Sequence, residues 1–198
     1  MEKSKILSSF KNYINSYYPV SNDAFGLITE LTEVDYLKKN QVLLSMGEIS
    51  NHIYYIFQGT LIAYFTDANG NTYNKNIFME NQLAASTVSS LLRVPSEFTL
   101  QAIEETILLK IDFRKYKQLI DGNEEFKNFY IAYLEKNWVI DKEQREISIV
   151  MEEASVRYQK LIENHPAIHS RVPLLHIASN LGITPTQLSR IRKKLNSN

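Results

Sequence analysis

Residues 171–195 (RVPLLHIASNLGITPTQLSRIRKKL) constrain the fold of this chain more than any other stretch. The first part has apolar residues at helical spacing, and Gly182 follows where a helix can end at positive φ. Thr184 is a good N-cap, and Pro185 then occupies the first helical position, where a missing N–H costs nothing. The second part buries three apolar residues, Leu188, Ile191 and Leu195. The stretch therefore predicts a helix-turn-helix whose second helix is polar, basic and suited to the major groove of DNA.

Charge is distributed unevenly along the chain. From residue 157 onward there are seven Lys or Arg and one acid, Glu163, a net charge of +6. Because the whole chain has a formal net charge of zero, the remainder carries −6. A basic end on an acidic body is typical of a protein that faces nucleic acid with that end. The alternative is an ordinary helical hairpin in which a solvated basic helix closes a small domain.

The composition limits the chemistry open to the chain. Its 198 residues can form one large domain or two small ones. The absence of cysteine excludes disulfides, thiolate metal sites, iron–sulfur clusters and cysteine nucleophiles. No apolar run approaches the ~18 residues of a membrane span, and the N-terminal stretch lacks the apolar core of a signal peptide. We therefore expect a soluble cytoplasmic protein with no membrane partner.

The pattern between residues 34 and 111 is that of short strands. Two helices precede it, an amphipathic one at 4–18 and a short one at about 21–31. β-branched and aromatic runs then alternate with turn residues, and Asn69-Gly70 is the strongest hairpin signal. Residues 83–92 interrupt the strands with one or two helical turns, capped by Ser86 or Thr87. The spacing predicts a small antiparallel barrel or sandwich.

A long helix is predicted from about residue 123 to 150. Aromatic and apolar residues recur every seven positions, and a second set follows four positions after each. About 28 residues would span ~42 Å, which is too long for a barrel of this size to cover. We therefore predict a parallel two-chain coiled coil; the alternative is a helix that lies on the core of its own domain. The predicted dimer interface is Phe126, Tyr130, Tyr133, Asn137, Ile140, Gln144 and Ile147.

A strand-rich roll followed by a long helix and a helix-turn-helix resembles the CRP/FNR family of bacterial transcription regulators. The resemblance rests on residues 38–84, with Gly47, Gly59 and a D..G hairpin at 67–70, and on residues 111–126. It implies an α+β fold: an antiparallel, double-stranded, jelly-roll-like β-roll, a long dimerisation helix and a small all-α helix-turn-helix domain. The implied domains are a cyclic-nucleotide-binding-like sensory roll at 1–122, the dimerisation helix at 123–151, and a DNA-binding domain at 152–198 without a full wing.

The sequence departs from the family where its members that bind cyclic AMP (cAMP) hold the ribose and the phosphate. Those members have Gly-Glu and, after a loop, Arg-Ser, whereas this chain has Ala85-Ser86 and Pro95-Ser96. Proline cannot make the bidentate, charge-assisted contact of an arginine with phosphate. The pocket implied by the resemblance is lined by Ala85, Ser86, Thr87, Arg93, Pro95 and Ser96. We expect no cAMP binding of the family's kind, and no metal, haem or iron–sulfur cluster; the cofactor is unknown.

The resemblance also implies which residues contact DNA. They are Thr184, Pro185, Thr186, Gln187, Ser189, Arg190 and Lys193. Thr184 would reach a phosphate and Arg190 would bind guanine bidentately, whereas a solvated Gln187 is an equal alternative. Family members add a β-hairpin wing, and this chain has three residues after Leu195. We expect Lys193, Lys194 and Arg171 to supply part of the wing's phosphate contacts.

Two other functions were weighed against a dimeric regulator that binds a palindromic operator. A metal-dependent barrel enzyme needs several histidines and a carboxylate inside the barrel. Only His52 falls in the strand region, so we predict no enzyme. A roll that has lost independent DNA binding is the second alternative. The expected partners are double-stranded DNA, a second copy of the chain and an unidentified small-molecule effector, with RNA polymerase as a candidate.

Overall fold

A computed structural model describes residues 2–70 and 72–195 of the chain. It begins with α1 (Glu2–Asn15) and α2 (Asn22–Thr29), the two helices that the sequence predicts. Ser21 caps α2, because its hydroxyl accepts the Ala24 N–H at 3.1 Å. The apolar face of α1 packs into the core of the roll, where Phe10 and Tyr55 have ring centroids 4.8 Å apart.

The predicted antiparallel roll is confirmed. Eight strands among the described residues form two four-stranded sheets, with orders β1-β8-β3-β6 and β2-β7-β4-β5. The strands are β1 (Thr32–Leu37), β2 (Val42–Leu44), β3 (His52–Gln58), β4 (Leu61–Thr66), β5 (Thr72–Phe78), β6 (Leu83–Ala84), β7 (Thr99–Ala102) and β8 (Thr106–Asp112). Leu61, Leu100 and Leu108 are fully buried between the sheets. The alternation of apolar and polar residues in the strands therefore places one face of each sheet in a common core.

The interruption predicted at 83–92 contains both a strand and a helix. Its first two residues form β6, which pairs with β3, and α3 (Thr87–Leu92) follows. Ser86 occupies the N-cap position, but its side chain caps nothing and instead bonds to Ser96.

The predicted long helix is present but is not uniform. After α4 (Phe113–Gly122) come α5 (Glu124–Leu134), a π-helical segment (Glu135–Ile140) and α6 (Asp141–Met151). In the π segment the Asp141 N–H bonds to the carbonyl of Lys136, five residues back rather than four. A strict seven-residue repeat therefore does not stay on one face across it.

The two halves of this helix have different neighbours, which corrects part of the predicted dimer interface. Phe126 is fully buried in the core of its own chain, so it cannot contact a partner. Tyr133 packs on Tyr17 with ring centroids 5.5 Å apart, and Asn137 donates to the Tyr17 hydroxyl at 3.2 Å. Tyr130 lies edge-on to Tyr116 of α4. The alternative of a helix lying on its own domain is thus correct for the first half.

Four more helices complete the described chain and share a core with the roll. They are α7 (Ala154–Asn164), α8 (Ile168–Arg171), α9 (Leu174–Asn180) and α10 (Pro185–Leu195). Ile177 and Leu188 are fully buried in a cluster that also includes Ile62 and Met79 of the roll. The sequence did not predict this docking of the C-terminal unit. No helix among the described residues is long and apolar enough to cross a membrane.

Replacing Gly59 with alanine is predicted to destabilise the roll by several kcal/mol. Gly59 has a φ of +105°, and a Cβ there would lie 2.7 Å from the Thr106 Cα and 2.8 Å from the Glu105 carbonyl oxygen. Gly47→Ala is the matched control, because φ is +93° there but no atom lies within 4 Å of the added carbon. The control should cost only about 1–2 kcal/mol of backbone strain. Equal urea midpoints for the two variants would contradict the close approach.

Candidate nucleic-acid interface

The turn between α9 and α10 is built as the sequence predicts. Gly182 has a φ of +70°. Its N–H bonds to the Ser179 carbonyl and the Ile183 N–H bonds to the Ala178 carbonyl, both at 3.0 Å. This pair of bonds is a Schellman motif, which satisfies carbonyls at the end of α9. The turn therefore fixes the angle at which α10 leaves α9.

The start of α10 is held by a capping box. The Gln187 N–H donates to the Thr184 hydroxyl oxygen at 3.2 Å, and the Thr184 N–H donates to Gln187 Oε1 at 2.8 Å. The Thr184 hydroxyl also donates to Gln187 Oε1, at 3.1 Å. Each side chain thus satisfies a backbone group of the other. The side-chain carbonyl of the exposed Gln187 therefore helps to hold the start of α10.

All seven residues predicted to contact DNA are solvent-exposed in the structure. Leu188, between them, is fully buried and anchors α10 on the unit's core. Three basic residues, Arg192, Lys193 and Lys194, fall in the last turn of α10, and Arg190 precedes them. Cations near a helix C-terminus also interact favourably with the helix dipole. The outcome is an anchored helix with an exposed polar face and a basic end.

Arg171 does not belong to this exposed surface. Its guanidinium donates bidentately to Glu80, at 2.6 and 3.0 Å, and to Glu104, at 2.6 and 3.1 Å. It also donates to the hydroxyl of Thr60 at 3.1 Å. We call Arg171, Glu80, Glu104 and Thr60 the Arg171 clamp. The expectation that Arg171 supplies a phosphate contact is wrong, because its charge is neutralised by two carboxylates of the roll.

The clamp shifts the pKa of two of its members, Glu80 and Arg171. Burial raises the pKa of Glu80, but hydrogen bonds from Arg171, the Gly59 N–H and its own backbone outweigh burial and hold it below its ordinary value. Hydrogen bonds to Glu80 and Glu104 raise the pKa of Arg171. Both shifts favour the charged forms of Glu80 and Arg171.

Further hydrogen bonds hold the C-terminal unit together and join it to the rest of the chain. The Asn74 N–H of β5 donates to the Ser179 hydroxyl oxygen at 2.7 Å. Arg157 donates to the Leu181 carbonyl at 3.0 Å and to the carbonyl of Glu152 at the end of α6. Together with the shared apolar core, these contacts hold α9 against the roll.

The cassette-equivalent pocket contains polar groups that satisfy one another. Ser86 and Ser96 are almost fully buried, and their hydroxyls are 2.9 Å apart. The Ser96 hydroxyl also bonds to the Phe98 carbonyl at 2.8 Å. Arg93 is exposed and donates to Asn51 at 2.7 Å, so it does not replace the missing arginine. Ser86 and Ser96 present hydroxyls where the family's contacts with a cyclic nucleotide need a carboxylate and a guanidinium, so these residues do not fit the phosphate in the family's manner.

The histidines do not assemble into a metal site within residues 2–70 and 72–195. No group of three His, Asp or Glu there could hold a metal ion. His52 lies on β3 beside Tyr54, and burial, followed by nearby Lys110, lowers its pKa. Burial likewise lowers the pKa of His176 on α9.

Comparison with known proteins supports the roll and the overall fold. Residues 34–123 match the family model described as the cyclic nucleotide-binding domain. No curated protein matches the chain.

Solved structures of regulators share the fold. A putative cAMP-binding regulatory protein from Silicibacter pomeroyi superimposes with a TM-score of 0.71 at 13% identity, over 97% of this chain and 88% of that one. FixK2 from Bradyrhizobium japonicum superimposes with a TM-score of 0.67 at 12% identity, over 84% of this chain and 85% of that one. The c-di-GMP responsive global regulator CLP of Xanthomonas campestris superimposes with a TM-score of 0.62 at 12% identity, over 89% of this chain and 92% of that one. Residues 34–123 are thus similar to the cyclic nucleotide-binding domain, and the chain as a whole shares the fold of these three solved structures.

Arg171→Met is predicted to lower the free energy of unfolding by about 2 kcal/mol. The substitution leaves two carboxylates unpaired, and fully buried pairs lose roughly 3–5 kcal/mol when broken. The smaller figure reflects side chains that retain 25–30% exposure. Lys142→Met is the control, because its pair with Glu146 is 60–65% exposed and should contribute less than about 0.5 kcal/mol. Equal urea stabilities for the two variants would show that the clamp does not stabilise the fold.

The stabilisation by Glu80 is predicted to depend on pH. Because its folded pKa is below the ordinary value of 4.5, its contribution is complete above that pH and is lost as the pH falls through the lowered pKa. The stability difference between the native chain and Glu80→Gln should therefore be constant from about pH 7 to 5 and shrink below about 4.5. Denaturant titrations at each pH measure it. A stability difference that grows on acidification would contradict the lowered pKa of Glu80.

Proposed function

We propose that the chain is a dimeric, sequence-specific DNA-binding transcription regulator of CRP/FNR type. The observation that carries the proposal is the capped, anchored α10 with its exposed polar face and basic end. The fold shared with regulators supports the same function. The remaining cations of the C-terminal unit are engaged by groups of the chain itself: Arg157 and Arg171 bind such groups, and the exposed Lys160 pairs with Glu152. The positive charge offered to a phosphate backbone is therefore concentrated on α10.

The residues of α10 would have separate roles. Arg190 is exposed and would bind a guanine edge in the major groove. Pro185, Thr186 and Ser189 would lie along base edges or the backbone, and Lys193 and Lys194 would contact phosphates. Thr184 and Gln187 would position the helix start near the backbone through their capping box.

A second copy of the chain is the proposed partner of the long helix. In its second half Ile140, Ile147 and Met151 are 47–78% exposed, at spacings that place them on one face with Gln144 between. An apolar stripe of this kind on a helix is the seam of a coiled coil. A two-fold pair along α6 would present two copies of α10 to the half-sites of a palindrome.

Regulation would act through the docking of the C-terminal unit. A ligand or partner that binds the two arrangements of the unit unequally would shift DNA affinity by that difference and no more. We expect no cAMP response of the family's kind, because of the Ser86–Ser96 arrangement. RNA polymerase remains a candidate partner.

The alternative is a roll that senses or interacts without binding DNA alone. The altered cassette favours it. It differs from the main proposal in predicting no sequence selection by α10.

Selection from random double-stranded DNA, at modest salt and without added nucleotide, tests the function. The native chain should enrich a two-fold-symmetric motif, and Arg190→Ala should lose about 1–3 kcal/mol of discrimination at one base pair of each half-site. Arg114→Ala, an exposed arginine on α4, is the control and should enrich the native motif. A motif unchanged by Arg190→Ala would contradict the role of α10, and no motif for any chain would favour the alternative.

The dimer is tested by Ile147→Ser. Losing an isoleucine from each copy removes about 3 kcal/mol of apolar burial, so the dissociation constant of the dimer should rise about a hundredfold. Val42→Ser removes a comparably exposed apolar residue from the roll and should leave the constant unchanged. Analytical ultracentrifugation measures both. A native monomer, or equal constants for the two variants, would refute the seam on α6.

A further inference from the structure

A cleft of about 460 Å³ lies where the roll, α6 and the C-terminal unit meet. Ile77 and Met79 of the roll form one wall, Ile149 of α6 another, and Leu161 and Ile168 of the C-terminal unit a third. This volume falls within the range of small-molecule pockets, which combine apolar walls with a few polar groups. No function discussed above uses this cleft.

The polar lining of the cleft is predominantly basic. Arg145 of α6 and Arg157 and Lys160 of α7 line it, with Asp141 as its acidic residue. Asp141 is already paired with Lys136 at 2.5 Å, and Lys160 is paired with Glu152. Among the described residues, no carboxylate forms an ion pair with Arg145 or Arg157. The cleft therefore has two guanidinium groups that form no ion pair among the described residues, although the charge of Arg157 acts on the nearby Glu152 carboxylate.

A second observation indicates a missing acceptor. The Nε–H of Arg157 is buried and has no hydrogen-bond partner, although its terminal nitrogens bind two backbone carbonyls. A buried donor without an acceptor is rare and costs free energy. Burial is the main cause that lowers the pKa of Lys75, and the charge of Arg145 lowers it further while Glu97 opposes the shift, so the charge of Arg145 acts beyond its own side chain. An anion in the cleft would offset the charge of Arg145, and a small shift of the Arg157 side chain toward it would give the Nε–H an acceptor.

We propose that this cleft binds a small organic anion, in which a phosphate or carboxylate group meets Arg145 and Arg157 and an apolar part packs on Met79 and Ile149. Binding does not depend on the proposed function. Since the walls come from three parts of the chain, the bound anion stabilises their arrangement by mass action. A role as the effector of DNA binding does rest on the proposed function.

Three probes separate the contributions of the two chemical groups. Phenyl phosphate and benzoate share a ring and differ in the anion, and inorganic phosphate has no ring. Each is titrated into the full chain by calorimetry, with sodium chloride matched for ionic strength. We expect phenyl phosphate or benzoate to bind, the tighter one identifying the anion, and inorganic phosphate to bind more weakly. Because no DNA is present, a failure here is independent of any failure in sequence selection.

Two arginine variants and the methionine-methyl NMR signals locate the site. Arg145→Gln should weaken binding at least tenfold, whereas Arg114→Gln, outside the cleft, should change it less than twofold. Arg145 is exposed, so its loss should leave the fold intact; Arg157→Lys keeps the charge but removes the Nε–H, and should also weaken binding. In methionine-methyl NMR spectra the Met79 signal should shift and the Met46 signal should not. Absence of binding by both ring-bearing probes, equal affinity in Arg145→Gln, or an unmoved Met79 would each overturn the proposal.

Discussion

The placement of the whole C-terminal unit depends on one guanidinium held between two carboxylates of the roll. Arg171 is the last residue of α8, and Glu80 and Glu104 lie in separate turns of the roll. Charges that are largely removed from water are stable only while every partner is present. The apolar core around Ile177 and Leu188 stabilises the docked C-terminal unit, but the hydrophobic effect is non-directional and does not fix the orientation of the unit. The clamp orients the unit on the roll, since the bidentate contact of Arg171 with Glu80 fixes distance and angle together.

The same clamp connects the turn at Gly59 and Thr60 of the roll to the C-terminal unit that carries α10. The Gly59 N–H donates to Glu80 at 2.9 Å, and Thr60 donates to Glu104 at 2.6 Å while accepting from Arg171. A change in this turn would therefore alter both carboxylates of the clamp at once. Because α9 is used for docking, α10 keeps its polar face in solvent. The cleft beside α6 offers a second point at which a ligand could favour the docked arrangement.

Much of the fold and part of the candidate site follow from local sequence patterns. The strands, the Schellman turn at Gly182 and the cap at Thr184 depend on residues close in sequence. The role of Arg171 could not be predicted, because its partners lie 91 and 67 residues away and a count of charges does not distinguish an exposed arginine from a buried one. For a related reason, the sequence did not predict that the two halves of the long helix have different neighbours. A π segment changes the face of a heptad, and the burial of Phe126 depends on the shape of the roll. A T-x-x-Q pattern was available at Thr184 and would have identified the capping role of Gln187.

The most direct test of this account is a distance between the roll and α10. The chain has no cysteine, so spin labels can be placed on Lys39→Cys and Ser189→Cys alone, with labelled chain diluted into unlabelled chain. Pulsed electron resonance should give one narrow distance for the native background and a broad distribution when Arg171→Met is added. Lys142→Met should leave the narrow distance unchanged. A distribution that is already broad in the native background, or one that Arg171→Met does not alter, would contradict the claim that the clamp positions α10.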